Sequence, residues 1–323
     1  MSAPLAPVLL MLEGAGMEAV LDGVCRIVPA SGIGDREGLP ASEAGRAIRA
    51  VVLAGAAPLP DWVWALPRLG LIACIGVGYD GIDIERARRL GIAVTAGRGV
   101  NDADVADMAI GLLLAVVRHI ARGDRAVRAG AWTGLPALER ARSLSRMRCG
   151  IVGLGAIGSA IGQRLTGFGC NIAWWGPRPK PDALWPRADS LEALARDCDV
   201  LIVAAPSTPE SRGAIDADIL AALGPGGYLV NISRGDLVDE AALLAALRDG
   251  RIAGAALDVF AVEPDDGARW RDCDNVVLTP HLGGWADRAM ADALAMCAAN
   301  VAAFLADRAL PSPVLDRPRP VAA

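Results

Sequence analysis

One short run constrains this chain more than any other: CGIVGLGAIGSAIGQRL, residues 149–165. The apolar segment Cys149–Val152 predicts a strand, Gly153, Gly155 and Gly158 follow at once, and Ile157–Thr166 predicts a helix. Each glycine has a physical task. Gly153 permits a tight turn, Gly155 lets a pyrophosphate approach the backbone, and Gly158 lets the helix lie close on its strand. The helix N-terminus adds unpaired N–H groups and a positive dipole for phosphates. A G-x-G-x-x-G alone is a weak signal. Here the next apolar run, Asn171–Trp175, predicts the following strand, so strand, turn, helix and strand stand in order. A dinucleotide-binding α/β domain is the expectation.

The rest of the chain keeps the same rhythm. Val8–Leu12, Ala50–Ala54, Leu71–Ile75 and Ile92–Thr95 predict strands, and Ile84–Leu90 a helix stopped at Gly91. Apolar residues at Val105, Met108, Ala109, Leu112, Leu113, Val116 and Val117 predict one long helix over Val105–Ala129. A Trp132 loop and the basic, polar stretch Glu139–Arg148 follow. Beyond the glycine turn, Val200–Ala205, Tyr228–Ile232, Gly254–Val259 and Asn275–Leu278 predict strands. Glu240–Leu247 and Asp287–Leu305 predict helices, and the Pro-rich segments Gly176–Pro186 and Pro311–Pro320 a loop and a tail. The pattern implies two doubly wound parallel-sheet domains, with the last helix free to return to the first.

At 323 residues, 53% hydrophobic and 21% charged, the chain has ample material for packed cores and is not disordered. A mean hydropathy of +0.37 raises the question of a membrane. The longest apolar stretches, such as Gly111–Val117, fall far short of the roughly 20 residues a span needs, so no membrane is expected. A net charge of −5, without a dense basic tract, argues against a nucleic-acid partner. Met1–Leu12 carries no Lys or Arg ahead of its apolar stretch and does not resemble a signal peptide. Seven scattered cysteines with no C-x-x-C argue against zinc and disulfides, and point to a reducing, cytoplasmic setting with thiols as core filler.

The end of the strand Asn171–Trp175 bears on cofactor choice. Rossmann sites place Asp or Glu there to bind the adenosine ribose. In this chain the position is Gly176, followed by Pro177, Arg178, Pro179 and Lys180. With no carboxylate to repel a 2′-phosphate and two cations at hand, NADP(H) is expected to be preferred, with NAD(H) possible. A solvated basic loop is the plain alternative.

Three downstream blocks each begin at or near a predicted strand end: Asn231–Asp239, Ala256–Pro264 and Thr279–Gly284. Ligands of open α/β sheets bind at the carboxyl ends of strands, so Arg234, Glu263 and His281 are expected to share one crevice. Only two histidines exist, His119 and His281, so imidazole chemistry has few candidates.

These blocks, with GVGYDGID (76–83), VAD (105–107), GLGAIG (153–158), residues 224–264 and PHLGG (280–284), resemble the D-isomer-specific 2-hydroxyacid dehydrogenase family over nearly the whole chain. Within it the chain is most similar to the NADPH-dependent glyoxylate/hydroxypyruvate and hydroxyphenylpyruvate reductases. The resemblance implies that His281 is the general acid in reduction, that Glu263 hydrogen-bonds the imidazole and favours its charged form, and that Arg234 binds the 2-oxo acid. It implies substrate-carboxylate binding by the backbone N–H groups of Val77 and Gly78. Cofactor contacts are implied for Gly153, Gly155, Ala156, Ile157, Gly158, Arg178, Lys180, Pro206, Thr208, Ser233, Asp258, Gly283 and Gly284, and no metal.

It further implies a flavodoxin-like substrate domain, residues 1–98 plus 286–323, and a Rossmann domain, residues 99–285, with hinges near Gly97–Asn101 and Gly283–Ala286. A homodimer is expected through the apolar face of Val105–Ile120. Trp285, beside the PHLGG block, either narrows the crevice or packs at a hinge. Trp132 either packs in its loop or reaches a neighbouring subunit, and His119 is expected to be structural or interfacial. Rival readings are a catalytically idle NAD(P)-sensing binding protein and another family enzyme such as phosphoglycerate or formate dehydrogenase. Turnover of 2-oxo acids separates the first rival from a reductase.

Overall fold

The computed structural model describes residues 5–11, 16–134 and 140–316. Leu12, Glu139 and the tail residues 317–320 lie outside them. The chain divides into two compact units, Met1–Asn101 with Ala286–Ala323, and Asp102–Trp285.

The first unit contains β1 (Pro7–Leu10), β2 (Arg26–Pro29), β3 (Ala50–Ala54), β4 (Leu71–Ile75) and β5 (Ala93–Thr95). The second contains β6 (Arg148–Val152), β7 (Asn171–Trp175), β8 (Val200–Val203), β9 (Tyr228–Asn231), β10 (Gly254–Leu257) and β11 (Val276–Leu278). The chain then returns to the first sheet with β12 (Pro313–Leu315).

The first sheet runs β12-β5-β4-β3-β1-β2. Its five parallel strands have the 2-1-3-4-5 order of flavodoxin-like folds. β12, inside the expected tail, adds to β5 antiparallel at the edge, where a strand proline costs no ladder hydrogen bond. The second sheet runs β11-β10-β9-β8-β6-β7, all parallel. Beyond β7 the chain makes one more parallel bridge, Arg187 to Trp174. Trp174 N–H donates to Pro186 O at 3.0 Å, and Ala188 N–H to Trp174 O at 2.8 Å. Counting that bridge as a vestigial third strand restores the Rossmann order 3-2-1-4-5-6, with β11 added as a seventh strand at the far edge.

Both sheets are covered on both faces, which explains their nearly unbroken apolar strands. Val200 and Ile202 face one core and Leu201 and Val203 the other. Val51 and Leu53, against Ala50 and Val52, do the same in the first sheet. Helix Asp287–Leu305 is, by length and composition, the one helix among the described residues apolar enough to cross a bilayer. Its Cys297, Val301 and Phe304 belong instead to the core of the first unit.

The expected long helix is two. Asp102–Val117 ends before His119, which adopts a left-handed φ of 56°, and Ile120–Arg128 follows. The expected dimer face is also corrected. Val105, Ala109, Leu112, Leu113 and Val116 are buried in the chain's own core against the second sheet. The apolar exposure lies farther on, at Ile120 and Val127, both 56% exposed, in a helix with no buried residue.

Candidate active site

The glycine turn leaves β6 at its carboxyl end, where β7 and β8 diverge to either side: the switch point of the sheet. Gly153 has φ 91°, and a Cβ there would lie 2.7 Å from Ala205 Cα. A Cβ on Gly158 would lie 2.1 Å from Gly153 O, so the helix Ala156–Gly167 sits directly on the turn. Gly155 differs: a Cβ there would meet nothing within 4 Å. The protein does not fill the space beside Gly155, and the N–H groups of Ala156, Ile157 and Gly158 open the helix without intrahelical acceptors. An open cradle at a helix N-terminus fits a pyrophosphate.

Beyond β7, Lys180 Nζ donates to Leu154 O, pinning this cation over the glycine turn. Arg178 is exposed. A third cation escaped the sequence reading. Arg187, on the bridge beside β7, donates to Gly176 O through Nε (3.2 Å) and Nη2 (2.8 Å) and lies over the Trp174 ring at 5.9 Å. Its nine-residue separation from Arg178 hides it until the bridge is seen.

His281 sits three residues past β11 with a left-handed φ of 54°. A non-glycine residue there costs about 1–2 kcal/mol, and Asp258 supplies the compensation. Asp258 O accepts His281 N–H (2.8 Å). The buried Asp258 carboxylate accepts Leu282 N–H (2.8 Å), Gly283 N–H (2.7 Å) and Thr279 Oγ1–H (2.6 Å). One carboxylate thus locks the whole turn. On it His281 Nδ1 meets Glu263 Oε2 at 2.7 Å, while Glu263 Oε1 accepts Phe260 N–H at 2.9 Å.

Arg234 lies on the loop leaving β9. Buried Asn231 shapes that loop, accepting Ser233 N–H (3.1 Å) and donating to Arg234 O (2.9 Å). Arg234 Nη1 donates to Ser233 O (2.7 Å), and Ser233 Oγ to Ala205 O. Next to Arg234, Gly235 is a place of contact: its Cβ would lie 1.8 Å from Phe260 C. The loops of Arg234 and Glu263 therefore touch backbone to backbone, which only glycine allows.

Pro206 and Thr208 occupy the loop after β8, tied by Ser211 Oγ to Pro206 O (3.0 Å). Asp236, which the sequence reading passed over, holds that loop to the Arg234 loop. It accepts Ser207 Oγ–H at 2.7 Å and pairs with Arg212 at 3.2 Å. Gly284 follows Gly283 on the His281 turn, at the junction with Trp285. Val77 and Gly78 belong to the other unit, past the carboxyl end of β4; Gly78 O lies 2.1 Å from where a Gly55 Cβ would be.

His119 stands apart, at the amino end of the second sheet. With Arg122, Tyr228 and Asn275 it lines a cavity of about 470 Å³. Trp132 is 68% exposed, its Nε1 donating to Gly134 O (2.8 Å), and Trp285 is 73% exposed. All seven cysteines are free. Burial pushes the Cys74, Cys198 and Cys297 thiols up to about 12, so they remain protonated filler. Just before β8, Asp199, which faces Arg148 at the start of β6, is held down at about 2. Burial opposes this, but Arg148 and Arg142 outweigh it at 3.0 and 3.1 Å. Among the described residues no cluster of His, Cys, Asp or Glu could hold a metal ion.

Residues 110–283 match the sequence profile described as D-isomer specific 2-hydroxyacid dehydrogenase, NAD binding domain. The chain is 41% identical over 270 residues to 2-ketogluconate reductase of Gluconobacter oxydans (strain 621H), spanning 83% of this chain and 87% of that protein. It is 39% identical over 272 residues to hydroxyphenylpyruvate reductase of Plectranthus scutellarioides, spanning 83% and 86%. Among solved structures it is similar to an NADPH-dependent glyoxylate/hydroxypyruvate reductase of Sinorhizobium meliloti in complex with NADP and malonate. That match has a TM-score of 0.89 and 33% identity, and covers 99% of this chain and 100% of the other.

Proposed function

The chain belongs to the D-isomer specific 2-hydroxyacid dehydrogenase family, and from that premise we propose that it reduces a small 2-oxo acid to the D-2-hydroxy acid with NADPH, His281 serving as general acid. It is an NAD(P)-dependent oxidoreductase, and its relatives act on 2-oxo acids. Glyoxylate, hydroxypyruvate and aryl-pyruvates are the expected substrates, and 2-ketogluconate joins them through the first of these relatives.

The observation that carries the reading is the His281–Glu263 contact at 2.7 Å on a turn locked by Asp258. Reduction adds a hydride to C2 and a proton to the carbonyl oxygen. A nicotinamide held at this site would supply the hydride. His281 delivers the proton from Nε2, because Nδ1 is committed to Glu263. Arg234 binds the 2-oxo acid through its planar fork. Asp258, Ser233, Gly283 and Gly284 would hold the nicotinamide end of the cofactor, and Pro206 and Thr208 would contact it from the loop after β8. Gly153, Gly155, Ala156, Ile157 and Gly158 would hold the pyrophosphate.

The unit of β6–β11 is the nucleotide-binding unit. The unit of β1–β5 and β12 is the substrate unit, with the Val77 and Gly78 N–H groups for the substrate carboxylate. Arg178 and Lys180, with no acid at Gly176, support NADPH over NADH. The free thiols support a cytoplasmic setting.

The test is a panel of 2-oxo acids run with NADPH and NADH. Turnover of at least one with kcat/KM favouring NADPH is expected; no turnover of any would move the reading to a nucleotide-sensing protein. We also propose a homodimer through Ile120–Arg128. Ile120→Asp should turn a dimer into a monomer by light scattering, and an unchanged mass would defeat this placement.

A further inference from the structure

Glu240 is buried at the first position of helix Glu240–Arg248, a place where acids are rarely found unless paired. Its Oε1 accepts Ala261 N–H at 2.8 Å, and its Oε2 faces Arg269 Nη2 at 2.7 Å. Arg269 also pairs with Asp265, whose side chain is nearly buried. The same guanidinium lies over the Trp270 ring at 5.3 Å, and Trp270 packs on Phe260 at 6.4 Å between centroids. Asp265 further accepts Gly267 N–H at 2.7 Å. Two acids and one arginine thus bracket residues 260–265, and that segment carries Glu263.

A buried ion cluster is a poor device for stability alone, since desolvation offsets most of its attraction. It is a good device for fixing a loop. Oε1 of Glu240 grips Ala261 from below, Arg269 ties Glu240 to Asp265 at the far end, and Gly235 lets Phe260 rest on the Arg234 loop. Between these anchors Glu263 has both oxygens directed, one to Phe260 N–H and one to His281.

We propose that Glu240 is a positioning residue, which with Arg269 and Asp265 clamps the 260–265 segment so that Glu263 stays on His281 Nδ1. It touches neither substrate nor cofactor and acts only through Glu263. The idea rests on the reductase reading for its kinetic consequence, but not for its structural one.

A double-mutant cycle tests it. Glu240→Gln keeps an acceptor for Ala261 N–H and removes the charge that holds Arg269. In the full-length protein, kcat should fall about 10–100-fold, with the KM of the 2-oxo acid and NADPH affinity unchanged. Placed on Glu263→Gln, it should cost nothing further. Losses that multiply, or a Glu240→Gln enzyme with full kcat, would overturn the clamp. If Glu240→Gln fails to fold by thermal melt, Arg269→Lys, which keeps the charge and loses the fork, must show the same pattern.

A second readout needs no turnover. The far-downfield proton resonance of the His281 Nδ1–H should be present in the wild type and lost in Glu240→Gln. With two histidines in the chain, His119→Gln completes the assignment. A resonance unchanged in Glu240→Gln overturns the clamp even if the wild type reduces no 2-oxo acid, and its loss supports the clamp in that case too.

Discussion

The two units share an architecture yet use their buried polar groups differently. In the first, buried Asn300 donates to Ser312 Oγ (2.8 Å) and accepts Ser312 N–H (3.1 Å), and buried Thr95 lies on β5. The Asn300 pair ties helix Asp287–Leu305 to the start of β12 within the returning segment, and Thr95 lies opposite Pro313 of β12. In the second, Asn231, Glu240 and Asp258 lie beneath the loops of Arg234, Glu263 and His281. Apolar strands build both sheets. Where polarity is buried tells which unit is closing a chain and which is shaping a site.

The sharpest way to break this contrast is at His281. His281→Ala should lower kcat/KM about 10²–10⁴-fold while NADPH still binds, and near-wild-type turnover would remove the reason for the Asp258 lock. Asn300→Ala should do the reverse. Its loss leaves Ser312 groups unpaired and should cost about 2–3 kcal/mol in denaturant unfolding, with kcat per folded molecule intact; a fall in kcat instead would erase the distinction.

Within the second unit the two sheet ends should differ in the same way. Asp199, at the amino end, is depressed from an ordinary 3.8 to about 2, so its ionised form is favoured by folding. It contributes about 2 kcal/mol above pH 4, lost as pH falls through 2. Asp199→Asn should therefore be less stable than wild type at neutral pH, and the gap should close in acid. A gap that persists at pH 2 would show that the arginines are not its source. The smallest effect is at Arg178, where Ala should narrow the NADPH preference about fivefold to tenfold without changing NADH kinetics. An unchanged ratio would leave Lys180 as the reader.

Much of this was legible in the chain because glycine and strand periodicity are local. GLGAIG stands at the β6 switch point, and Arg234, Glu263 and His281 follow β9, β10 and β11. Strand ends overran. Ile232 and Val259 are apolar and buried but lie past the ladders of β9 and β10, so burial and pairing part company there. β2, with its mixed burial, and β12, with a proline, are edge strands that lack the continuous apolar run of a central one. The break at His119 has neither Gly nor Pro to mark it. The Glu240–Arg269 pair spans 29 residues, a separation that only the fold brings to 2.7 Å.

The chain's return has a consequence for its synthesis. Residues made first cannot complete their sheet until Asp287–Leu305 and β12 leave the ribosome, after the whole of the second unit. At cellular translation rates that delay is on the order of tens of seconds. During it the edge of β5 and the face that Cys297, Val301 and Phe304 will cover stand open. The unit begun first is finished last, and until then it presents open apolar surface to other chains.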